Sequence, residues 1–329
     1  MGKAFSIEKM PFIISAYKML LSILAPKRPL KTDDYSAIKR IFKGGSLGVV
    51  SLSAVAIALF QPTLPVQATE FSQIYAFGDS LSDTGNAFAK TGLPPEPYFK
   101  GHFSNGPVWA EYLADDLGIP ETNFAYGGAL SGEFGRLQFG SAPAVAVPGA
   151  LAQAKAFVAS SPQADDQALY IIWVGANDYL SGQARDFTKP VDNIRQAVLI
   201  LEQAGAKNFL LVNLPKLGDL PLFQATAAQP RQIAALNDLV FKHNQALAQT
   251  TVDLNRSGAV NVELLDVYTL YESVAAGALG PSDTTDVCTL IAACINNLDT
   301  QNSYLFWDSL HPTTAAHRLI ADTALEVLR

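Results

Sequence analysis

The sequence predicts an α/β chain, a three-layer α/β/α sandwich around a central parallel sheet, and three observations carry that expectation. Four predominantly apolar runs of strand length occur at 74–77, 169–174, 209–214 and 260–267. Strands that are apolar throughout, rather than alternating, are those covered on both faces. Stretches with apolar residues at helical spacing separate the runs. Setting aside an N-terminal segment of 68 residues leaves 329 − 68 = 261, enough for one large domain with its own core, 69–329.

Taken in order, Ile74-Tyr75-Ala76-Phe77 is the first strand, and it breaks at once into the polar turn Gly78-Asp79-Ser80-Leu81-Ser82-Asp83-Thr84-Gly85-Asn86. The stretch 92–106 is rich in Gly and Pro and fits no core element. Such segments form rims and walls of sites. Its Tyr98, Phe99 and Phe103, with Trp109, are candidates for facing an apolar part of a ligand, although aromatics more often pack inside. A helix is expected over 108–117, where Trp109, Leu113 and Leu117 recur at helical spacing, and another over the alanine-rich 150–160. The run Leu169-Tyr170-Ile171-Ile172-Trp173-Val174 is the next strand, followed by Gly175-Ala176-Asn177-Asp178. A helix over 190–204 leads to the strand at 209–214, a long helix over 230–256 leads to the strand at 260–267, and a helix over 313–328 closes the chain. Ligands of open parallel sheets bind outside the carboxyl ends of the strands. Ser80 and Asn177, each just after a strand, are therefore expected at one edge.

Residues 1–68 hold nine Lys/Arg against three Asp/Glu, and Lys39-Arg40-Ile41-Phe42-Lys43 precedes the apolar run 47–60. Pro62 and the small-residue site Val66-Gln67-Ala68 follow, the order of a secretory signal peptide cleaved near Ala68. A secreted or periplasmic location is the expectation. The rival, an uncleaved anchor, has a clean apolar stretch shorter than the ~20 residues a bilayer needs. Residues 69–329 then carry 23 − 9 = 14 Lys/Arg against 30 − 3 = 27 Asp/Glu, a net charge of −13. That balance repels phosphate backbones and anionic lipid faces, which argues against a nucleic-acid partner. Cys288 and Cys294, six apart, read in an exported chain as a local disulfide that stiffens the loop before Asp308.

A serine after a strand is usually inert. What distinguishes Ser80 is Asp308-Ser309-Leu310-His311 near the C-terminus, a carboxylate and an imidazole three residues apart. A serine nucleophile needs a base to take its proton, and the base needs an acceptor to hold its tautomer. Ser80 as a helix cap would explain Ser80 alone and leave the distant pair without a purpose. Of the four histidines, His243 beside Lys242 and Asn244 reads as a solvated helix residue, and His317 as a surface residue or a neighbour of the site. Asp79 and Asp83 read as hydrogen-bonding scaffolds of the turn, with no third ligand spaced nearby for a metal. Gly44-Gly45-Ser46-Leu47-Gly48 fits a G-x-S-x-G pattern, but it opens the apolar leader rather than joining a strand to a helix, and is read as accidental.

These segments together resemble the GDSL, or SGNH, family of serine esterases and lipases, in its lipase-like branch. The resemblance extends to the glycine block Asn123-Phe124-Ala125-Tyr126-Gly127-Gly128-Ala129, the asparagine block Val174-Gly175-Ala176-Asn177-Asp178-Tyr179, and Phe103-Ser104-Asn105-Gly106-Pro107-Val108-Trp109. It implies the flavodoxin-like SGNH hydrolase fold and hydrolysis of an ester through Ser80, His311 and Asp308. It also implies an oxyanion hole from the Ser80 N–H, a glycine N–H and the Asn177 amide. Gly128 is preferred for the glycine, with Gly127 open. Where relatives carry arginine this chain has His102, which leaves the role of that position open. The implied substrate is a carboxylic ester of a lipid or small acyl group, met by a monomer in transient contact with a lipid interface, with no metal or organic cofactor. Acyl transfer to an alcohol and deacetylation of a polysaccharide need the same residues. A non-catalytic binding module on the same fold has no reason to keep all three.

Overall fold

The computed structural model describes residues 71–329 apart from 142 and 226–229; the expected leader, its cleavage site near Ala68 and the Gly44-Gly45-Ser46-Leu47-Gly48 pattern lie outside the described residues. The chain runs β1 (Ile74–Gly78), α1 (Asn86–Thr91), α2 (Trp109–Leu117), β2 (Glu121–Asn123), β3 (Phe134–Leu137), β4 (Val145–Pro148) and α3 (Ala150–Ser160). It continues through β5 (Leu169–Trp173), α4 (Ala176–Leu180), α5 (Thr188–Gln203), β6 (Asn208–Val212), α6 (Pro221–Ala225) and α7 (Pro230–Arg256). The remainder is β7 (Asn261–Leu265), α8 (Val267–Ala275), β8 (Asp283–Val287), α9 (Ala292–Ile295), α10 (Leu298–Gln301), β9 (Tyr304–Phe306) and α11 (Thr314–Val327).

Five strands pair in parallel in the order β2-β1-β5-β6-β7. Counted in chain sequence that is the 2-1-3-4-5 order of flavodoxin-like sheets, with its crevice at the carboxyl ends of the two strands where the winding reverses, here β1 and β5. Strand side chains alternate between faces. Ile74, Ala76, Ile171, Trp173, Leu210 and Val212 therefore enter one core with Leu113 of α2, Val274 of α8 and Ile320 of α11. Phe77, Tyr170, Ile172, Phe209 and Leu211 enter the other with Phe157 of α3, Val198 of α5 and Leu247 of α7. Two cores, one on each face of a single sheet, make the three layers expected.

The sequence-derived strands and helices hold to within a residue or two, with informative exceptions. The run read as a strand to 267 ends at Leu265, because the Asp266 side chain accepts from the Thr269 N–H and starts α8 at Val267. Asn177 lies in the short helix α4, entered through Gly175 at φ 126°. The edge strand β2, the antiparallel hairpin β3–β4 and the parallel pair β8–β9 are unexpected. Glu121-Thr122-Asn123 of β2 and Asp283-Thr284-Thr285-Asp286-Val287 of β8 carry no apolar run to betray them, and the apolar residues of β4 and β9 span only three or four positions. Cys288 and Cys294 are bridged, their Cα atoms 5.3 Å apart, and both are buried against Trp307. Among the described residues no helix is long and apolar enough to cross a membrane.

Candidate active site

The site is built where β1 ends. Gly78 has φ 150°, and a Cβ there would lie 2.1 Å from the Trp173 carbonyl oxygen of β5, so only glycine lets the strand turn at this point. Gln153 of α3 ties the same residue from the other side: its Oε1 accepts from the Gly78 N–H and its Nε2 donates to the Gly78 carbonyl, each at 2.9 Å. In the turn that follows, the N–H groups of Ser82 and Asp83 donate to the Asp79 carbonyl, and the Leu81 N–H donates to Asp79 Oδ1. Asp83 then accepts four backbone N–H groups, from Gly85 (2.8 Å), Asn86 (2.7 Å), Ala87 (3.1 Å) and Gly127 (2.7 Å). One buried carboxylate thus caps α1 and pins the glycine block to the Ser80 turn. The scaffolding role expected for Asp79 and Asp83 is what their contacts describe.

At the other end of the chain, Asp308 Oδ1 accepts from the N–H groups of Leu310 and His311, both at 2.7 Å, which folds Asp308-Ser309-Leu310-His311 into a tight turn. Asp308 Oδ2 lies 2.7 Å from His311 Nδ1, and His311 Nε2 lies 2.9 Å from Ser80 Oγ. The segment Phe103-Ser104-Asn105 clamps this turn. Ser104 Oγ donates to the Pro312 carbonyl, Asn105 Oδ1 accepts from the Thr314 N–H, and the Phe103 ring centroid is 5.2 Å from that of His311.

Burial opposes charge on the imidazole of His311, but the Asp308 carboxylate outweighs it, Asp79 adds to the effect, and the pKa is raised above its ordinary value. Burial likewise works to raise Asp308, but His311 and the hydrogen bonds from His311, Tyr98 and Leu310 hold it below the usual carboxylate range. Asp79 has no such partner: burial dominates and pushes it up to about 7, the Leu81 N–H and His311 countering only in part.

The glycine block and the asparagine block meet beside Ser80. Gly127 spends its N–H on Asp83. Among the described residues, neither the Ser80 nor the Gly128 N–H donates to a protein acceptor, which leaves Gly128 rather than Gly127 free to donate. Gly128 sits at φ 79°, and a Cβ there would lie 2.6 Å from the Arg136 carbonyl oxygen of β3. Asn177 Nδ2 donates one hydrogen to the Ala129 carbonyl at 3.0 Å, which leaves its second hydrogen free. Its neighbour Asp178 accepts from the N–H and the hydroxyl of Ser131, and Asn193 of α5 donates to that same hydroxyl. Sequence reasoning had no signal for Gln153, Ser131 or Asn193, because each acts on a partner remote in the chain.

An apolar cavity opens at Ser80, His311 and Asn177 and runs across the carboxyl edge of the sheet. Leu217, Val267, Leu270, Val274, Leu319 and Ile320 line it. None of the four aromatics singled out in the sequence lines this cavity: Phe103 and Trp109 are buried in the protein, and Tyr98 and Phe99 lie outside its lining. The structure corrects the reading of His243 and, for His317, removes the surface alternative and leaves that of a neighbour of the site. His243 is fully buried, its Nδ1 2.7 Å from the Tyr179 hydroxyl, and burial lowers its pKa to about 4, so it is neutral rather than solvated. His317, fully buried in α11, accepts the Trp109 N–H at Nδ1, and burial lowers it to about 3. His102 is buried too, held between the Phe99 carbonyl and Glu111 Oε2.

Comparison with known proteins adds an independent line. Residues 74–324 match the family profile described as GDSL-like Lipase/Acylhydrolase. Over 283 residues the chain is 29% identical to "Thermolabile hemolysin" of Vibrio parahaemolyticus, an alignment spanning 79% of this chain and 65% of that protein. It is 30% identical to "Phosphatidylcholine-sterol acyltransferase" of Aeromonas hydrophila, over 79% of this chain and 92% of that protein. It is 26% identical to "Acetylesterase" of Thermothelomyces thermophilus, over 86% and 97%.

Proposed function

The chain belongs to the GDSL-like lipase/acylhydrolase family, and from that premise we propose that it hydrolyses carboxylic esters with Ser80 as nucleophile, His311 as general base and then acid, and Asp308 as the acceptor that orients the imidazole. The observation that carries this reading is the continuous relay from Ser80 Oγ to His311 Nε2 at 2.9 Å and from His311 Nδ1 to Asp308 Oδ2 at 2.7 Å. Ser80 Oγ adds to the ester carbonyl carbon as its proton passes to His311 Nε2. The carbonyl oxygen becomes an oxyanion met by the N–H groups of Ser80 and Gly128 and the free amide hydrogen of Asn177. Collapse breaks the bond to the alkoxide, which takes the proton from His311. Water then repeats the sequence on the acyl-enzyme, releasing the acid and restoring Ser80.

The acyl part of the substrate is an extended hydrocarbon chain. The cavity starts beside residues after β1 and β5 and reaches Pro215, after β6, and Val267, after β7. From β1 to β7 is three strand spacings, about 14 Å at ~4.8 Å each. An acetyl group has no use for such a length of apolar wall, so the polysaccharide deacetylase reading is the weaker one. Transfer of the acyl group to an alcohol uses the same residues, and the similarity to the acyltransferase keeps it as the second reading. Release of the acid against formation of a new ester, with a long-chain alcohol added, separates the two. Export with cleavage near Ala68 is part of the proposal, supported by the basic-apolar-small order of residues 1–68 and by the bridge between Cys288 and Cys294.

The test is Ser80→Ala assayed on p-nitrophenyl esters, beside labelling of the parent by a serine-directed organophosphonate. Loss of hydrolysis with unchanged thermal unfolding, and label found on Ser80, are the expected results. Hydrolysis near the parental rate in Ser80→Ala sinks the mechanism.

A further inference from the structure

Asp308 has a partner that neither the reading of the sequence nor the family resemblance assigns. Tyr98 lies in the segment Pro94-Pro95-Glu96-Pro97-Tyr98, 210 positions away, and its hydroxyl donates to Asp308 Oδ2 at 2.6 Å. That is the same oxygen that faces His311 Nδ1. The other oxygen, Oδ1, is taken by the two N–H groups of its own turn. The Tyr98 ring is held edge-on by Phe139, just beyond β3, at 5.4 Å between centroids, and by Trp307, beside Asp308, at 6.2 Å. Trp307 in turn packs on the Cys288–Cys294 bridge. Burial, reinforced by Asp308, pushes the phenol far above its ordinary titration range, so Tyr98 remains an O–H donor.

We propose that Tyr98 is a positioning residue of the hydrolytic reaction, which fixes the Asp308 carboxylate and moderates how strongly that carboxylate holds a proton on His311. The proposal rests on the reading of Asp308 and His311 as the acceptor and base of Ser80. Two donors share Oδ2, and each draws on the same negative charge. With the hydroxyl present, the carboxylate cannot rotate away from His311, and part of its charge is satisfied elsewhere. With the hydroxyl removed, the charge on Oδ2 leans on His311 alone, and the imidazole keeps its proton to a higher pH. The titratable groups that face His311 are Asp308 in its own turn, Asp79 from the β1 turn and His317 from α11. Those facing Asp308 are His311 and Tyr98. Tyr98 is thus the group whose removal alters the pair without altering its other neighbours.

The experiment is Tyr98→Phe, which keeps the ring and its packing, assayed with a soluble short-chain ester across pH. The expected result is a fall in kcat of about tenfold, the value of one charge-assisted hydrogen bond. KM should stay within about twofold, and the acid limb of kcat/KM should move to higher pH. In an Asp308→Asn background the same substitution should have little further effect, because the partner is gone. An unmoved limb and kcat in Tyr98→Phe, an undiminished loss in the Asp308→Asn background, or a change confined to KM overturns the proposal. Should Tyr98→Phe fail to fold, 3,5-difluorotyrosine at position 98, a stronger donor of nearly the same shape, decides it: the limb moves to lower pH, or the proposal falls. Ser80→Ala assayed alongside keeps the two readings apart. Activity surviving there overturns the hydrolase mechanism, whereas a dead Ser80→Ala with an indifferent Tyr98→Phe overturns only the role of Tyr98.

Discussion

Asp79 stands next to Ser80 with 2% of its surface exposed and a carboxyl that burial raises to about 7. In the unfolded chain it titrates near the ordinary ~4. Between those values the folded state holds a proton that the unfolded state has lost, so the contribution of Asp79 to stability falls as pH rises from about 4 to about 7. Asp79→Asn keeps an oxygen for the Leu81 N–H and removes this titration. Relative to the parent, the variant should gain stability between pH 5 and pH 8, read as the shift in urea midpoint at the two values; an equal difference at both would mean that Asp79 is already charged in the fold. His311 works in the opposite sense for activity. Its pKa is raised and only the neutral ring accepts the Ser80 proton, so the acid limb of kcat/KM should lie above the ~6.5 of a free imidazole. Asn177→Ala should lower kcat by about two orders of magnitude with a smaller effect on KM, because its bond to the oxyanion forms mainly in the transition state; unchanged turnover would reduce Asn177 to a brace for Ala129. Ser80, Asp308 and His311 were legible in the sequence because nucleophilic chemistry requires those three types. Tyr98 was not, because its partner lies 210 positions away. His243 was misread because its polar neighbours Lys242 and Asn244 describe the sequence around it, whereas burial is set by the face of α7 that meets Tyr179.

The inner strands and β7 of the main sheet announced themselves because burial leaves room for little but apolar side chains, whereas the half-exposed edge strand β2 did not. The joints between elements did not, since a joint is made by one polar side chain meeting a backbone elsewhere. Asp266 ending β7 and opening α8 is one such joint, and Asp83 is the more consequential. The latter is fully buried and holds four N–H groups, three at the entry to α1 and one at Gly127. Its removal leaves several buried donors unpaired at ~1–3 kcal/mol each, relieved in part by relaxation and water. Asp83→Ala should therefore cost about 3–5 kcal/mol in chemical denaturation. It should also depress kcat, because the Gly127-Gly128 turn loses its tether to the Ser80 turn. A loss under about 1 kcal/mol would show that the neighbouring turns hold α1 and the glycine block without it.

Across the molecule, the sheet's winding and its apolar surface serve one site. The reversal beside β1 brings the Ser80 and Asn177 turns to a common crevice, and the helices that follow β7 and the His311 turn, α8 and α11, wall the space that leads away from it. That space was not legible in the sequence, because a cavity is a property of packing, and nothing around Val274 or Leu319 in the chain tells a pocket wall from a core position. The two sit together, both within 4 Å of where a Cβ on Gly280 would lie. Val274 lies on α8, which follows β7, the strand farthest from β1 on that side of the sheet, so a chain extending from Ser80 towards β7 is expected to reach this point last. Val274→Phe should then discriminate by length. Hydrolysis of p-nitrophenyl decanoate should fall by about tenfold or more, since even one methylene in an apolar pocket is worth ~1–3 kcal/mol. Hydrolysis of p-nitrophenyl acetate should stay within about twofold of the parent. Overpacking costs stability, about 1–3 kcal/mol, and acetate turnover serves as the control for that cost because it needs the intact triad but not the far end of the cavity. Leu319→Ala should move the optimum the other way, towards longer chains. If both substrates fall together in Val274→Phe while Leu319→Ala leaves the optimum where it was, the acyl chain leaves Ser80 by another route, and the segment 92–106 becomes the wall to test.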